Sequence, residues 1–465
     1  MSHPQDLSLR EQAAAVAAGE LDPGELLEAT FARIEERDPA LNSVVVRFPD
    51  EARRMLSEAP RGPLHGVPVV VKDMFRLPWY APTDGAPGEA APAGESAVYR
   101  RLRDAGAVIA GIGQCHFWGA GSTGHISAWG PCGNPWNPAH CAGGSSGGSA
   151  SAVGARLVAA AVGTDGGGSV RLPAAYCGVT GMKVTFGAIE TEGYTHGYSD
   201  MGAIGPLCRD AADARLFCEV LTGRALNRGD GRPLRVGVAR DPWWANLDPE
   251  IERACDAAID AAGWERVELS LAGAEHQQAA ALVCLTVQSL PMLRPEDLAE
   301  ADPVLRALTK FELTMTPVIA YQAARIRSLL RRAAADAFTR CDVLAWPTVP
   351  APAPPIENPT VELPSGRAPA DPGNLRQTGM GNLTGMPGIS VPVGLHSSGL
   401  PMALQLQGPW GEEARLFDAA EHLEQATGRE FVDADPGPRE TGGRAQHQDA
   451  GWKPRGAIRP ARSST

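Results

Sequence analysis

Two loops that combine glycine with serine are the part of this sequence best suited to chemistry. The first, residues 143–149, contains Ser145, and the second, residues 164–169, ends at Ser169. Glycine lets the backbone take positive φ angles and approach a ligand closely, and successive free N–H groups in such a loop form a nest that binds anions. Hydroxyls beside an anion nest are the groups that acyl transfer requires.

Other interpretations of these loops fit the sequence less well. A flexible linker is the simplest alternative for a glycine- and serine-rich segment, but the apolar stretch 150–162 follows the first loop directly. A phosphate-binding loop would need Gly-x-x-x-x-Gly-Lys-Ser/Thr, which these residues do not form. The lipase-type Gly-x-Ser-x-Gly turn is also missing, because Val170 and Arg171 follow Ser169.

Lysine is scarce in this chain, and one lysine stands at the end of an apolar run. Only four of the 42 basic residues are lysine, at positions 72, 183, 310 and 453. Arginine does not lose its proton in a protein, whereas a buried lysine can be neutral near pH 7. Lys72 follows the run Val67–Val71, so the sequence predicts a short buried strand with an amine at its C-terminal end. An ion pair of Lys72 with Asp73 at the surface is the alternative, and the pattern alone leaves it open.

Taken together, these segments resemble the amidase signature family. The resemblance extends over roughly residues 6–430. It is specific because several uncommon motifs occur in the expected order, at residues 66–73, 134–138, 143–149, 163–174, 177–183, 205–209 and 382–388.

The resemblance implies a catalytic role for three side chains. Ser169 would be the nucleophile, and its proton would pass through Ser145 to Lys72, whose pKa the apolar strand should lower. Backbone N–H groups would bind the oxyanion of the tetrahedral intermediate; those of Gly166, Gly167 and Gly168 are assigned, together with the N–H of Ser169. The family also implies a cis peptide bond before Ser145, which turns the Ser145 hydroxyl towards both Lys72 and Ser169.

Three departures from the family pattern leave the substrate open. Gly166 stands where a threonine or another residue with a side chain is more frequent, Gln114-Cys115 replaces a frequent Lys-Thr pair, and Ala142 replaces a frequent proline. Gly166 could loosen the oxyanion loop or enlarge the site beside it. None of these changes removes a catalytic group.

The sequence therefore predicts an amidase that hydrolyses an aryl or alkyl amide of a carboxylic acid through an acyl-enzyme. The alternatives are a carbamate (urethane) or ester hydrolase with the same triad, a non-catalytic scaffold and a component of an amidotransferase. Aromatic residues near the motifs are candidates to line a pocket, although each one is more often simply core: Trp79, Tyr80, Phe117, Trp118, Trp129, Trp136, Tyr194 and Tyr198. A Ser-His-Asp triad is a further alternative, since five of the ten histidines lie near the motifs, at positions 65, 116, 125, 140 and 196.

Composition restricts the partners and the compartment. A net charge of −12 argues against a nucleic-acid partner. The first residues lack a signal peptide, and no apolar run is long enough to span a membrane. Nine cysteines without a Cys-x-x-Cys pair indicate free thiols in the cytoplasm. We expect a small-molecule substrate, no metal or other cofactor, no membrane partner, and a monomer or homodimer.

The fold class predicted is α/β, with helices and strands alternating along most of the chain. The alternation predicts a single large, mostly parallel β-sheet sandwiched between helical layers, and the family resemblance implies a mixed sheet of about eleven strands. Catalytic motifs between positions 72 and 383, without a linker between them, predict one catalytic domain over residues 1–432. The polar segment rich in Pro, Gly and Arg at residues 433–465 is predicted to be a flexible tail.

Overall fold

The structure is a computed structural model of the 465-residue chain. It describes residues 3–86, 91–92, 94–197, 199–229, 231–289, 306, 309–311, 314–428 and 436. The predicted tail at 433–465 lies outside the described residues apart from position 436, and so does Tyr198.

Thirteen strands and twelve α-helices are described, besides four short 3-10 helices. The strands are β1 Val44–Arg47, β2 Pro68–Lys72, β3 Val108–Gly113, β4 Ala160–Asp165, β5 Thr180–Lys183, β6 Ala203–Cys208, β7 Arg235–Ala239, β8 Glu265–Leu269, β9 Val343–Pro347, β10 Thr360–Leu363, β11 Gly366–Pro369, β12 Gly388–Leu395 and β13 Pro401–Gln407. The α-helices are α1 Leu9–Ala18, α2 Pro23–Arg37, α3 Pro49–Glu58, α4 Ala97–Asp104, α5 Gly147–Gly154, α6 Arg171–Cys177, α7 Ala211–Thr222, α8 Pro249–Ala261, α9 Gln277–Ser289, α10 Pro317–Ala337, α11 Ala370–Thr384 and α12 Glu413–Thr427.

Eleven of the strands form one mixed sheet, in the order β1-β3-β2-β4-β6-β5-β12-β13-β9-β7-β8, while β10 and β11 form a separate hairpin. The α/β class and the large mixed sheet with helices around it are confirmed. The expectation that most strands are parallel is wrong, because four neighbouring pairs are parallel and six are antiparallel.

The parallel pairs occur where the chain makes a helical crossover. Strand β2 is joined to β3 through α4, and β7 is joined to β8 through α8; both pairs are parallel. A parallel pair needs such a long crossover, whereas antiparallel strands need only a short turn. Strands β12 and β13 are joined by a turn of five residues, 396–400, and pair antiparallel. Helix–strand alternation reveals the crossovers but not the antiparallel centre of the sheet.

Central strands of the sheet are buried on both faces. Every residue of β2, β4, β6, β9 and β13 is buried, and valine, leucine and alanine hold about half of these positions. No helix in the described ranges is both long and apolar enough to cross a lipid bilayer. The sheet is therefore a rigid support on which loops at the strand ends can be held in place.

Candidate active site

The C-terminal ends of two neighbouring strands bring the first candidate residues together. Strands β2 and β4 are parallel neighbours, and Val71 is in register with Val162. Because parallel strands end at the same edge of a sheet, Lys72 at the end of β2 lies beside Thr164 near the end of β4. Lys72 Nζ is 2.7 Å from Thr164 Oγ1.

The Lys72 amine is enclosed by the protein and contacts Ser145. Its Nζ atom lies 2.7 Å from Ser145 Oγ, and the side chain is fully buried. Burial lowers the pKa of Lys72 from its ordinary value of 10.5, although Cys115 and three carboxyl groups nearby oppose the shift. The predicted buried strand is confirmed, and the surface ion pair with Asp73 is not what the structure shows. Asp73 is itself buried and accepts hydrogen bonds from Tyr80 and Thr83.

Backbone contacts hold the loop with Ser145 against the loop that carries Ser169. The peptide bond between Gly144 and Ser145 is cis, as expected. The N–H of Ser146 donates to the carbonyl of Ser169 at 3.2 Å, so the chain next to Ser145 is tied to the second loop. The hydroxyls of Ser145 and Ser169 face one cavity. They are not hydrogen-bonded to each other among the contacts of the described residues, so this contact would have to form when substrate binds.

Asp165 organises the loop that carries Ser169. Its carboxylate accepts from the N–H of Gly168 at 2.7 Å and from the N–H of Val170 at 3.2 Å. The Arg171 guanidinium binds the same carboxylate through Nε at 3.0 Å and a second nitrogen at 3.1 Å. Burial alone raises the pKa of Asp165, but Arg171 outweighs it and holds that pKa well below its usual range. The loop is thus closed around a buried, charged carboxylate.

This arrangement changes the set of N–H groups that face the cavity. The Gly168 N–H is engaged by Asp165, so its assignment to the oxyanion hole does not fit the geometry. Gly166, Gly167 and Ser169 line the cavity, and their N–H groups have no acceptor within the described part of the chain. Gly168 has a structural reason to be glycine: its φ is +121°, and a Cβ atom there would lie 2.3 Å from Thr378 Oγ1.

A cavity of about 610 Å³ opens above the two serines. Trp118 and Tyr194, two of the aromatic residues singled out in the sequence, line it together with His196. Phe117 packs against Trp118 in a small cluster. Other aromatic candidates have structural roles elsewhere: Tyr80 and Trp129 donate to Asp73, Trp136 donates to the carbonyl of Cys177, and Trp79 packs on Phe48 and Tyr99.

Several residues of the site carry no signal in the sequence. Leu282 and Leu285 from α9 and Leu375 from α11 line the cavity, yet in the sequence they are only apolar positions of helices. Thr164 belongs to one of the motifs, but the motif gives no sign of its contact with Lys72. His196 lines the cavity as well, and burial, with the charge of Lys72, lowers its pKa to about 4.

A second lysine is buried behind the site. Lys183, at the end of β5, donates to the backbone carbonyl of Met386 at 2.7 Å and to that of Val184 at 3.1 Å. Burial, and then the charge of Arg171, lower the pKa of Lys183 to about 7. It is not among the residues that line the cavity, so it is a structural amine.

Comparison with known proteins shows the family to which the chain belongs. The family model described as Amidase matches residues 25–417. The chain belongs to the amidase signature family. A similar relative is a Glutamyl-tRNA(Gln) amidotransferase subunit of Anaeromyxobacter sp. (strain K), which is 34% identical over 489 residues; the match covers 91% of this chain and 96% of the relative.

Solved structures of amidase signature enzymes share the fold. A crystal structure titled as an amidase is 30% identical, has a TM-score of 0.85, and the match covers 91% of this chain and 100% of that chain. A 6-aminohexanoate cyclic dimer hydrolase complexed with substrate is 26% identical with a TM-score of 0.82, covering 93% of this chain and 99% of that chain.

The departures from the family pattern have separate consequences. Gln114 is buried and donates to the carbonyl of Gly130 at 2.9 Å, which is a structural role. Gly166 leaves open space, because a Cβ atom there would meet only Leu285, at 3.8 Å. The absence of a side chain at Gly166 therefore widens the cavity beside the loop that carries Ser169.

Proposed function

We propose that this amidase-family enzyme hydrolyses an aryl or alkyl amide of a carboxylic acid through an acyl-enzyme on Ser169. One observation carries the proposal: the fully buried Lys72 amine lies 2.7 Å from Ser145 Oγ. Ser145 lines the same cavity as Ser169. Burial lowers the pKa of a lysine. The buried amine is therefore neutral, and able to accept a proton, at a pH where an exposed lysine is already protonated.

Three side chains share the proton transfers of the reaction. Ser169 Oγ attacks the carbonyl carbon while its proton passes to Ser145, and the proton of Ser145 passes to Lys72. The N–H groups of Gly166 and Gly167 bind the oxygen that becomes negative. The C–N bond then breaks as a proton returns through Ser145 to the leaving nitrogen, which yields the amine and an ester on Ser169. Water attacks that ester through the same relay and releases the carboxylic acid.

The same relay would cleave carbamates and esters, because these form the same tetrahedral intermediate. Urethane or ester hydrolysis is therefore a second activity of the proposed site. A stronger leaving group makes proton return to the departing atom less important. Esters should consequently depend less on the Lys72 relay than amides do.

An amidotransferase function is the second candidate, since amidotransferase subunits occur among the similar relatives. The charge of the cavity favours the hydrolase. Glu275 and Asp371 are among its lining residues, and neither lysine nor arginine is, as far as the chain is described. A free amino acid with an amide side chain would bring its α-carboxylate into this cavity without a lysine or arginine to pair with it, which is costly away from water. Neutral amides avoid this cost.

We also place the enzyme in the cytoplasm. All nine cysteines are free thiols, and eight of them are buried. Structural disulfides are common in oxidising compartments, whereas reduced buried cysteines are ordinary in the cytoplasm.

The nucleophile can be tested directly. Ser169→Ala should lose amide turnover by roughly 10⁴-fold or more, because the variant cannot form the acyl-enzyme. A serine-reactive phosphonate should label Ser169, as read by mass spectrometry of the digested protein. The matched control is Ser328→Ala, since Ser328 is an exposed serine on α10. Labelling of another serine with Ser169 unmodified would show that the nucleophile is misassigned.

A further inference from the structure

The cavity has two chemically different walls. The aromatic wall consists of Trp118, Tyr194 and His196: the Trp118 and His196 rings are stacked with centroids 5.8 Å apart and planes 20° apart, and Tyr194 follows at 6.1 Å from His196. The burial that lowers the pKa of His196 to about 4 leaves its ring neutral near pH 7. This wall therefore presents flat, uncharged rings to the cavity.

The aromatic wall adjoins the proton relay. Gly119 follows Trp118 in the chain, and a Cβ atom built on Gly119 would lie 3.6 Å from Ser145 Oγ and 3.6 Å from the His196 ring. The same Cβ atom would lie 3.3 Å from Met74 Cε. A group bonded to an atom that contacts Ser145 thus comes within reach of His196, on whose ring Trp118 stacks.

The aliphatic wall, formed by Leu282, Leu285 and Leu375, lines the cavity beside the loop that carries Ser169. A Cβ atom on Gly167 would lie 3.2 Å from Leu285 and 3.3 Å from Leu375. These leucines therefore pack beside the loop whose N–H groups are proposed to bind the carbonyl oxygen. Leu282, which lies one helical turn before Leu285 on α9, extends this surface.

The relay chemistry fixes which half of the substrate meets which wall; this step rests on the proposed function. The leaving nitrogen has to face Ser145, because its proton arrives through that hydroxyl. The substituent on nitrogen then lies along the aromatic wall. The carbonyl oxygen faces Gly166 and Gly167, and the acyl chain is left with the aliphatic wall above that loop.

We propose that the preferred substrate is an N-aryl amide of an aliphatic acid, whose aryl amine stacks on Trp118 and whose acyl chain packs against Leu285 and Leu375. Aromatic rings gain from stacked or edge contacts beyond their burial, and aliphatic chains do not need them. The two walls then act at different steps. Trp118 acts only until the amine departs, whereas the leucines contact the acyl group in both acylation and deacylation.

The test compares substrates that differ in one half only. N-phenylhexanamide and N-cyclohexylhexanamide differ in the flatness of the amine, and N-phenylhexanamide and acetanilide differ in the acyl chain. Trp118→Leu should lower kcat/KM about tenfold for N-phenylhexanamide and less than about threefold for the cyclohexyl analogue. Leu375→Ala should lower kcat/KM about tenfold for N-phenylhexanamide and little for acetanilide. Each ratio is taken against the parent enzyme, so intrinsic reactivity cancels.

Two further variants sharpen the result. Trp118→Phe keeps an aromatic ring at the same backbone position and should retain the preference for the phenyl amide. Tyr321→Ala is the matched control, because this tyrosine on α10 is 67% exposed and is not among the cavity residues. Equal losses for the phenyl and cyclohexyl amides in Trp118→Leu would overturn the assignment of the aromatic wall. If Leu375→Ala lowers kcat/KM according to the amine of the substrate rather than its acyl chain, the assignment of the aliphatic wall is overturned.

A separate measurement isolates deacylation. p-Nitrophenyl hexanoate gives the same hexanoyl-enzyme after its phenol has left, so Trp118→Leu should leave the turnover rate after the burst unchanged, while Leu375→Ala should slow it. A slowed deacylation in Trp118→Leu would contradict the proposal. If the parent enzyme cleaves none of the amides, or phosphonate labels a different serine, the proposed function fails; if it cleaves them without discrimination by the walls, only the substrate assignment fails.

Discussion

At residue 72 the proposed proton relay needs a basic side chain that can be without its proton. The Lys72 amine is buried, its pKa is lowered, and it has hydroxyl partners in Ser145 and Thr164. Arginine would keep its charge at any working pH. This explains why a lysine stands here in a chain whose other basic residues are nearly all arginine.

Lys72→Arg should therefore be nearly as inactive as Lys72→Ala, because the guanidinium cannot accept the relayed proton. In the parent enzyme, the protonated form of Lys72 is the inactive one, so kcat/KM should rise with pH through the Lys72 pKa, at a midpoint below 10.5. The measurement is a pH–rate profile on an amide. Lys310→Arg is the control, since Lys310 is exposed. Arginine activity within about tenfold of the parent would mean that Lys72 supplies only a fixed charge, since an always-protonated residue then suffices.

At the scale of the element, local signals are predictable from the sequence and distant pairings are not. Helix α2 is an example of the first kind: Asp22 caps it by accepting from the N–H of Gly24 and Glu25, and Pro23 takes the first helical position. The proximity of Lys72 to Ser145 is predictable because each belongs to a compact motif. The leucine wall is not, since Leu285 and Leu375 come from separate helices that meet only in the folded protein. The antiparallel centre of the sheet escapes prediction for the same reason.

Buried Arg171 lies at the start of α6 and connects this helix to three other elements of the fold. Besides Asp165 at the end of β4, it donates to Asn382 on α11 at 2.7 Å and to Gln405 on β13 at 3.0 Å. Removing one partner of a buried ion pair leaves the other charge without compensation. Replacing Arg171 should therefore remove the ion pair with Asp165 that supports the loop carrying Ser169.

Arg171→Met should lower the free energy of unfolding by about 3–5 kcal/mol, measured by denaturant titration. Arg53→Met is the matched control, because Arg53 forms an exposed pair with Glu28, and it should lower the unfolding free energy by a small fraction of that amount. Similar losses in the two variants would show that the buried pair does not hold the loop.

At the scale of the whole molecule, one sheet connects the site with the remaining core. Strand β2 carries Lys72, β4 leads into the loop with Ser169, β5 carries Lys183, and β13 contacts Arg171 through Gln405. A buried amine whose pKa is lowered opposes folding when it is protonated. The cost of Lys183 is present at low pH and disappears once the amine is neutral in both folded and unfolded chains.

The parent protein should thus gain stability, relative to Lys183→Met, as pH rises from about 7 towards 10.5. In this window the unfolded chain holds a proton on Lys183 that the folded chain has lost, so the slope of unfolding free energy against pH is positive. The measurement compares denaturant midpoints of both proteins across this range. Parallel curves would show that the pKa of Lys183 is the same in the folded and unfolded chains.

Amine chemistry on the purified protein would be unusually selective as a result of where its lysines lie. Lys72 and Lys183 are enclosed by the sheet and its helices, out of reach of reagents that acylate amines. In the described ranges the exposed lysine is Lys310, and Lys453 falls outside them. Coupling to an activated-ester resin or dye would therefore use amines other than those of Lys72 and Lys183, and Lys310 is the exposed lysine in the described part of the chain. The folded enzyme can be immobilised or labelled in this way while the Lys72 amine stays unmodified.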